Sequence, residues 1–391
     1  MKLTIFSVCS LILLQSFVSP FGIQSIINFI SGSKDILFGV VQNAGSFLPT
    51  PSEIFGNTKN LIAGLPFEYV SSSINSVCST LMSSNSVISK ITPEVDSMYF
   101  QLMTACSKYS IPLLEPEGLL KLKAFNVTKK TVILVTGWRT TVSNSQTIEE
   151  LSKAYNCRGD VNFLALDAAS YVDTLFSWAA LNTAEIGEHM GENLVRLAKL
   201  VPLENIHLIG HSLGAHICGV AGRTFNKLTS KLIPRITALD PAKPCFNEGE
   251  SLSGLMRGDA EFIDVIHTNA GVLGKKDATG DVDFYPDGMV SLPTGCLSVV
   301  CAHDRAWMYY VETVYPGNEY NFMAKRCTSM KRLRRNKCGD EAEPMGYAAT
   351  SNLKGTYILE VKGKSPFGMN GNETLEDQHV WCGTCLYAGI V

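Results

Sequence analysis

The candidate chemistry of this chain centres on Ser212. Positions 206–214 read IHLIGHSLG, so the motif GHSLG at 210–214 directly follows a short apolar run. In a G-x-S-x-G turn the serine stands on a strained passage from strand to helix, and the small flanking residues let the two backbones approach closely. The N-terminus of the following helix favours a developing negative charge. The motif therefore predicts a serine nucleophile at position 212.

A serine nucleophile needs a histidine base and a carboxylate that orients it, and after a G-x-S-x-G turn these follow in the order acid, then histidine. His303 precedes a helical pattern at 305–314 and is predicted in a loop from which its imidazole could reach Ser212. Asp240 ends an apolar strand pattern and precedes Pro241, which places it at the same edge of the sheet. The alternatives fall in helix, strand, loop or tail positions that suit the roles less well: His216, His267, His379, Asp264, Asp281, Asp283 and Asp287.

The oxyanion of a tetrahedral intermediate needs two backbone N–H donors. We expect one from Leu213, the residue after the nucleophile. The other is expected from Trp138, in the turn after the apolar run 130–136, where Gly137 permits a close approach. No cluster of His and Cys has the spacing of a catalytic metal site, and no cofactor is predicted.

These residues need a sheet to position them. Continuous aliphatic and β-branched runs occur at 130–136, 161–166, 206–209, 235–239 and 262–267, and helical patterns lie between them, for example at 183–200. Strands that are apolar on both faces and alternate with helices form a largely parallel sheet covered on both sides. We therefore predict an α/β fold.

Composition and charge limit the function classes. The chain has 391 residues, of which 46% are apolar and 18% charged, so it can build a large core. A formal net charge of −3 leaves no surplus of Lys and Arg for neutralising nucleic-acid phosphates, so no nucleic acid is predicted as a partner.

The front of the chain predicts secretion to the extracellular space. Lys2 precedes an apolar run at 3–14, which is typical of a signal peptide, here assigned to 1–20. Residues 21–95 form a low-charge extension with amphipathic helical patterns; they could pack on the body, be removed, or lie on lipid. A hydrolase-like body at 96–370 and a Cys-containing tail at 371–391 follow. Asn126 and Asn372 begin glycosylation sequons, which fits a secreted glycoprotein.

Several motifs together resemble one family. GHSLGAH, ALDPAKPCF, FIDVIHTNAG, DFYPDG and CAHDRAWMYY occur in this order, and the likeness to the secreted pancreatic-lipase family covers about 97–370. The resemblance implies an α/β-hydrolase fold, with a mostly parallel central sheet flanked by helices, and hydrolysis of carboxylic esters of lipids. It also implies Ser212, Asp240 and His303 as the catalytic triad. The sequence departs from the family pattern in having Thr136 where a histidine is usual, and in lacking the usual tryptophan after Asp167.

Loop lengths narrow the expected substrate within that family. Only four residues separate Cys296 from Cys301, where triacylglycerol lipases carry a long lid, and the loop at 271–281 is also short. Since 88 residues follow His303, no C-terminal β-sandwich domain is expected. These features resemble the phospholipase A1 members, including those secreted by insects. Triacylglycerol lipase is the alternative activity. A catalytically silent lipid carrier or yolk protein is the alternative of another class, but yolk-type relatives have lost the nucleophile that is present here.

The remaining cysteines and cations give weaker predictions. Cys296–Cys301 is expected as a disulfide, as is Cys327–Cys338, the second also by family resemblance. Cys218 and Cys245 are predicted to be buried thiols, and Cys382 and Cys385 of the C-x-x-C at 382–385 to be structural cysteines rather than a redox motif. A basic segment at 325–337 has no acid and could bind anionic lipid or sulfated polysaccharide, or be a solvated loop without a partner. Its cations are Lys325, Arg326, Lys331, Arg332, Arg334, Arg335 and Lys337.

Overall fold

The computed structural model describes residues 94–137, 145–168, 176–246, 252, 254–374 and 379–385 of a compact unit that spans Thr58–Val391. The predicted signal peptide, the extension up to residue 93 and Trp138 lie outside the described residues. Within the described part, no helix combines the length and apolar character needed to cross a bilayer.

The described part contains five α-helices and eleven strands that alternate through the body of the chain. The helices are α1 (Gln146–Arg158), α2 (Phe176–Leu197), α3 (Leu213–Thr229), α4 (Val299–Val314) and the single turn α5 (Met330–Leu333). The strands are β1 (Tyr99–Met103), β2 (Lys108–Pro112), β3 (Lys130–Val135), β4 (Val161–Asp167), β5 (Ile206–His211), β6 (Ile233–Leu239), β7 (Ala260–Ile266), β8 (Val282–Pro286), β9 (Met323–Cys327), β10 (Ala342–Pro344) and β11 (Gly355–Leu359).

All eleven strands join one sheet in the order β10-β9-β11-β8-β7-β6-β5-β3-β4-β1-β2. The strands from β11 to β4 in that order run parallel. The two margins are antiparallel, with β1 and β2 beyond β4, and β9 and β10 beyond β11. Because the carboxyl ends of parallel strands share one edge, the residues that follow β5, β6 and β7 lie side by side.

Helices cover both faces of the sheet. One apolar core joins the sheet to α2 and α3, through residues such as Met190 and Ile217. The other joins the opposite face to α1 and α4, through residues such as Leu151 and Tyr310. These four side chains are fully buried, and burying an aliphatic or aromatic side chain of this size contributes about 1.5–3 kcal/mol. This burial on both faces holds the parallel strands, and with them the carboxyl edge, in place.

The predicted α/β fold is confirmed, and each of the five strand patterns is a strand within two residues at either end. Two local predictions are wrong. His303 is not in a loop, because α4 begins at Val299, where Ser298 Oγ accepts a hydrogen bond from Cys301 N at 3.2 Å and caps the helix early. Asp283 lies in β8 rather than in a loop.

Candidate active site

Ser212 occupies a strained turn between β5 and α3. Its backbone angles, φ 58° and ψ −122°, lie in a region that residues other than glycine rarely adopt. The flanking glycines are required by close approach: a Cβ at Gly210 would lie 2.5 Å from Ala215 N, and a Cβ at Gly214 would collide with the Val135 carbonyl oxygen. The G-x-S-x-G spacing therefore reflects backbones that pass with no room for side chains, as a nucleophile elbow demands.

Backbone hydrogen bonds join this turn to the end of β6. Ser212 N donates to Leu239 O at 3.0 Å, and Ala242 N donates to Ser212 O at 3.2 Å. The bonds bracket Asp240, which follows β6 directly, so the serine and the carboxylate are held on neighbouring strands at the same edge of the sheet.

The Asp240 carboxylate is fully buried and has its hydrogen-bond partners in place. Its Oδ1 accepts from Thr268 N at 2.9 Å and from Asn269 N at 3.0 Å, both in the segment after β7. Gly274 packs so closely on the carboxylate that a Cβ there would overlap it. These contacts fix the orientation of the Asp240 carboxylate and leave its Oδ2 for a further partner.

His303 completes the arrangement from the first turns of α4. Its Nδ1 donates to Asp240 Oδ2 at 2.5 Å, and its side chain is 13% exposed. A proton on Nδ1 that is held by the carboxylate leaves Nε2 as the basic nitrogen. The structure thus brings two of the predicted residues into direct contact and holds the third, Ser212, beside the carboxylate through the backbone.

His211 is a site residue that sequence reasoning missed. Its ring lies 4.8 Å from the His303 ring, centroid to centroid, and its Nε2 contacts the His303 carbonyl oxygen at 3.3 Å. Burial, and then the neighbouring His303, lower the pKa of His211 to about 4, so it is neutral near pH 7 and can donate that bond. The only sequence signal is its place before the nucleophile, which says nothing about contact with α4.

The predicted oxyanion donors are described in part. Leu213 opens α3, where the first-turn N–H groups have no acceptor within the helix, and it is fully buried. Trp138 lies outside the described residues. The neighbouring Gly137 is so near the nucleophile that a Cβ there would lie 3.0 Å from Ser212 Oγ. The backbone of Gly137 therefore approaches the serine closely.

The other histidines and acids considered from the sequence take part in other contacts. His216 bridges Ala242 O at 2.7 Å and Leu255 N at 3.0 Å, and burial lowers its pKa to about 3. His267 contacts Asp283 at 2.8 Å, and His379 stacks on Tyr315. Asp264 pairs with Arg235, and Asp281 with Lys354. Asp287 accepts from Thr294 N and from Val361 N.

The cysteines form four disulfides among the described residues. Two are the predicted pairs Cys296–Cys301 and Cys327–Cys338. The C-x-x-C of the tail is not a pair within itself, because its cysteines form Cys157–Cys382 and Cys106–Cys385 and so attach the tail to the body. Cys218 is a buried thiol. The prediction of a thiol at Cys245 is wrong: it is disulfide-bonded, to a residue outside the described part, so its burial reflects a crosslink rather than an apolar thiol.

Within the described part, no group of three or more His, Cys, Asp or Glu side chains could hold a metal ion. Asn126 and Asn372 of the two sequons are both exposed. Their side-chain oxygens accept from the backbone N–H of the sequon threonines, Thr128 and Thr374, each at 2.9 Å. Their glycosylation remains a prediction.

The family of the chain is decided by a comparison with known families. The family model named Lipase matches residues 79–367, which include the elbow, Asp240 and His303. The chain belongs to this family, the pancreatic-lipase family.

Curated relatives of this lipase-family chain fall into two groups. Vitellogenin-1 of Ceratitis capitata is 39% identical over 209 residues, which are 53% of this chain and 48% of that protein. Lipase member H of Rattus norvegicus is 34% identical over 227 residues, 56% of this chain and 49% of that protein. The aligned part thus spans about half the length of these relatives. Among solved structures, Est1E of Butyrivibrio proteoclasticus is 20% identical, with a TM-score of 0.22, and the match covers 37% of this chain and 46% of that one.

Proposed function

We propose that this protein is a secreted serine hydrolase that cleaves carboxylic esters of lipids, with phospholipase A1-like specificity. The observation that carries the proposal is the contact of His303 Nδ1 with Asp240 Oδ2 at 2.5 Å, beside a serine held in a strained elbow. Orientation of an imidazole by a buried carboxylate is what a serine nucleophile needs, and a protein selected only for binding has no use for it.

The proposed reaction proceeds through an acyl-enzyme. As Ser212 Oγ attacks the ester carbonyl carbon, His303 Nε2 takes the hydroxyl proton, and Asp240 stabilises the imidazolium that forms. The backbone N–H groups of Leu213 and Trp138 bind the carbonyl oxygen as it becomes an oxyanion. His303 then gives its proton to the leaving alcohol. In the second half of the reaction, water attacks the acyl-enzyme, His303 takes the proton of the water and gives it to Ser212 Oγ, and the fatty acid is released.

The short loop before α4 supports the phospholipase A1-like specificity. Cys296 and Cys301 are bonded to each other, and Cys301 is already in α4, two residues before His303. The four residues that this disulfide encloses are too few to form an amphipathic helix over the serine, because one helical turn takes 3.6 residues. A bulky phospholipid head group therefore meets little obstruction from this side of the site. Triacylglycerol hydrolysis is the alternative activity.

The decisive measurement combines active-site labelling with product mapping. We expect a fluorophosphonate probe to label the wild type and Ser230→Ala but not Ser212→Ala. Ser230 is the matched control, because it is exposed, lies at the other end of α3 and also has a positive φ. We expect the protein to release the sn-1 fatty acid from phosphatidylcholine, and to do so faster than it hydrolyses triolein. The Ser212→Ala variant should lower the hydrolysis rate by about 10⁴- to 10⁶-fold.

The similarity to the vitellogenins supports a second candidate, a lipase-fold lipid carrier without activity. Vitellogenin-1 is more similar in sequence to this chain, at 39% identity, than Lipase member H, at 34%. If the wild type is not labelled, or if Ser212→Ala is labelled equally, the carrier is favoured and the hydrolase is not. Release of fatty acid from triolein but not from phosphatidylcholine would support the hydrolase and show triacylglycerol lipase activity instead of phospholipase A1 activity.

Extracellular location is part of the proposal. Four disulfides in the described part fit an oxidising compartment, because thiols are kept reduced in the cytosol. We expect the protein to appear in the culture medium of secreting cells without its signal peptide, with a mass that includes glycans at Asn126 and Asn372.

A further inference from the structure

The segment 325–338, here called the basic loop, is the strongest concentration of one charge on the described surface. It consists of the end of β9, the turn α5 and the disulfide Cys327–Cys338 that closes them. All seven of its cations are exposed, and none forms an ion pair with a described carboxylate. Asp340 and Glu341 follow outside the disulfide, and no acid lies inside it. The cations are Lys325, Arg326, Lys331, Arg332, Arg334, Arg335 and Lys337.

The basic loop is built rather than loose. Ser329 Oγ caps α5 by accepting from Arg332 N, and Leu333 is fully buried in a small apolar cluster with Tyr285 of β8. Lys337 N donates back to Arg332 O at 3.0 Å. With the disulfide, these contacts hold the backbone in one shape while the charged side chains point into solvent. The entropy of ordering the backbone is therefore not paid again when a partner binds.

The basic loop reaches the edge of the sheet that contains the candidate active site. Asn336 packs on the turn after β8, where a Cβ at Gly288 would lie 3.1 Å from Asn336 Oδ1. Asp287 of the same turn accepts from Thr294 N at 2.7 Å, and Asn269, which contacts Asp240, donates its side-chain N–H to Ser291 O. A continuous series of contacts thus runs along this edge from Asp240 to the basic loop.

An exposed apolar side chain follows Thr294 by three residues. Leu297, inside the Cys296–Cys301 loop, is 96% exposed, the highest value among the exposed large apolar residues of the described part. It lies six positions before His303, at the start of α4. A leucine held out into water, six positions before the candidate base, gains free energy when it enters an apolar layer.

We propose that the basic loop docks the protein on an anionic lipid surface, with Leu297 entering the layer next to the active site. The proposal rests on the proposed function, since it gives the lipid hydrolase a way to stay on its substrate. Lys and Arg gain favourable energy near a surface of negatively charged head groups. A sulfated polysaccharide would also attract the cations, but it offers no apolar layer for Leu297, so the pairing of the two features favours lipid.

The test measures partition of the full chain onto vesicles. In the Ser212→Ala background, which prevents hydrolysis, we expect strong binding to vesicles of phosphatidylcholine with phosphatidylserine and weak binding to phosphatidylcholine alone. Each cation near the surface is worth about a fivefold factor, so replacing Lys331, Arg332, Arg334 and Arg335 with Gln should lower the partition coefficient by about 10²- to 10³-fold. Raising the salt concentration should weaken wild-type binding by screening.

A matched variant separates the loop from net charge. Lys108, Lys121, Lys123 and Lys231 are exposed cations outside the basic loop, and their replacement with Gln changes the net charge equally. This control should bind anionic vesicles with a partition coefficient within about threefold of that of the wild type. The same is expected of a second control, Arg332→Lys with Arg334→Lys, which keeps both positive charges in the loop. At high salt, the Leu297→Ser variant should bind anionic vesicles more weakly than the wild type does at the same salt concentration.

Two results would overturn the docking proposal. One is equal binding of the loop variant and the control variant to anionic vesicles. The other is a loop variant that no longer binds heparin, a sulfated polysaccharide, but still binds anionic vesicles like the wild type; this result would assign the loop to a polysaccharide. Hydrolysis of a water-soluble short-chain ester by the loop variant, with an intact Ser212, distinguishes failure of docking from failure of the proposed function. The docking proposal expects this hydrolysis to be unchanged.

Discussion

The centre of the sheet and its two margins are stabilised by different means. In the centre, β6 and β7 are covered on both faces, and their buried polar groups pair with one another. Arg235 donates two hydrogen bonds to Asp264, at 2.8 and 2.9 Å, and Thr237 donates to the same carboxylate at 2.8 Å. Asp264 is fully buried. The edge that bears the candidate site therefore rests on strands fixed by burial and by satisfied polar groups.

The margins are thinner and are crosslinked. In β2, only Ile111 is buried, and the turn between β1 and β2 contains Cys106, which is bonded to Cys385 of the tail. On the opposite margin, β9 ends at Cys327, bonded to Cys338. Each antiparallel margin thus carries a crosslink, whereas the central strands β5, β6 and β7 contain no cysteine.

The largest effect is expected when a buried central charge loses its partner. Asp264→Ala leaves the guanidinium of Arg235, whose side chain is only 18% exposed, with the carbonyl groups of Gly346 and Tyr347 to accept from it. Removing one member of a buried ion pair costs about 3–5 kcal/mol of unfolding free energy, measured by urea denaturation. The matched control is Glu117→Ala, because Glu117 pairs with Arg196 through two hydrogen bonds but both side chains are more than 40% exposed. Glu117→Ala should lower the free energy of unfolding by at most about 1 kcal/mol. Equal losses for Asp264→Ala and Glu117→Ala would contradict the difference between the buried and the exposed pair.

A smaller loss is expected from opening one crosslink of the tail. Cys157→Ser with Cys382→Ser removes a disulfide that is nested within Cys106–Cys385. The outer bond still closes the chain, so the variant should lose about 2–4 kcal/mol of unfolding free energy, and variants lacking both bonds should lose more.

The matched comparison for this crosslink is Cys327→Ser with Cys338→Ser. Its sequence separation is only 11 residues, so the entropy of the unfolded chain is restricted less and the loss should be about 1 kcal/mol smaller. Hydrolysis of a soluble ester by either variant should stay at the wild-type rate at 25 °C. A crosslink variant that loses activity while it is still folded would show that the margins help to shape the site.

The smallest effect is the pH dependence of the centre. Burial lowers the pKa of His211 to about 4 and that of His216 to about 3. Because the unfolded chain takes up these protons below its ordinary pKa of about 6.5, the free energy of unfolding falls as the pH is lowered from about 6.5 towards 4. His216→Gln should reduce this fall, on the order of 1–2 kcal/mol between pH 7 and pH 5. An unchanged slope in denaturation series at the two pH values would contradict a neutral buried His216.

Much of the scaffold follows from local pattern. Aliphatic runs predict β3 to β7, because a strand buried on both faces must be apolar throughout. The antiparallel margins escape this reasoning. β1, β2 and β9 mix polar with buried apolar residues over only five positions each, which is too short for periodicity to separate a strand from a loop. His303 was misplaced for a related reason, since the cap at Ser298 extends α4 beyond its apolar pattern.

By itself, the sequence determined the α/β scaffold, the elbow around Ser212 and the candidates for acid and base, because these depend on apolar runs, small flanking residues and the order of residues along the chain. Only the tertiary structure decided that His303 Nδ1 contacts Asp240, that His211 supports His303, that the tail is bonded to α1 and to the β1–β2 turn, and that Asn336 of the basic loop packs on the turn after β8. These are contacts between segments 60 to 280 residues apart or on separate elements, and such distances are set by how the sheet orders its strands, which no local pattern encodes.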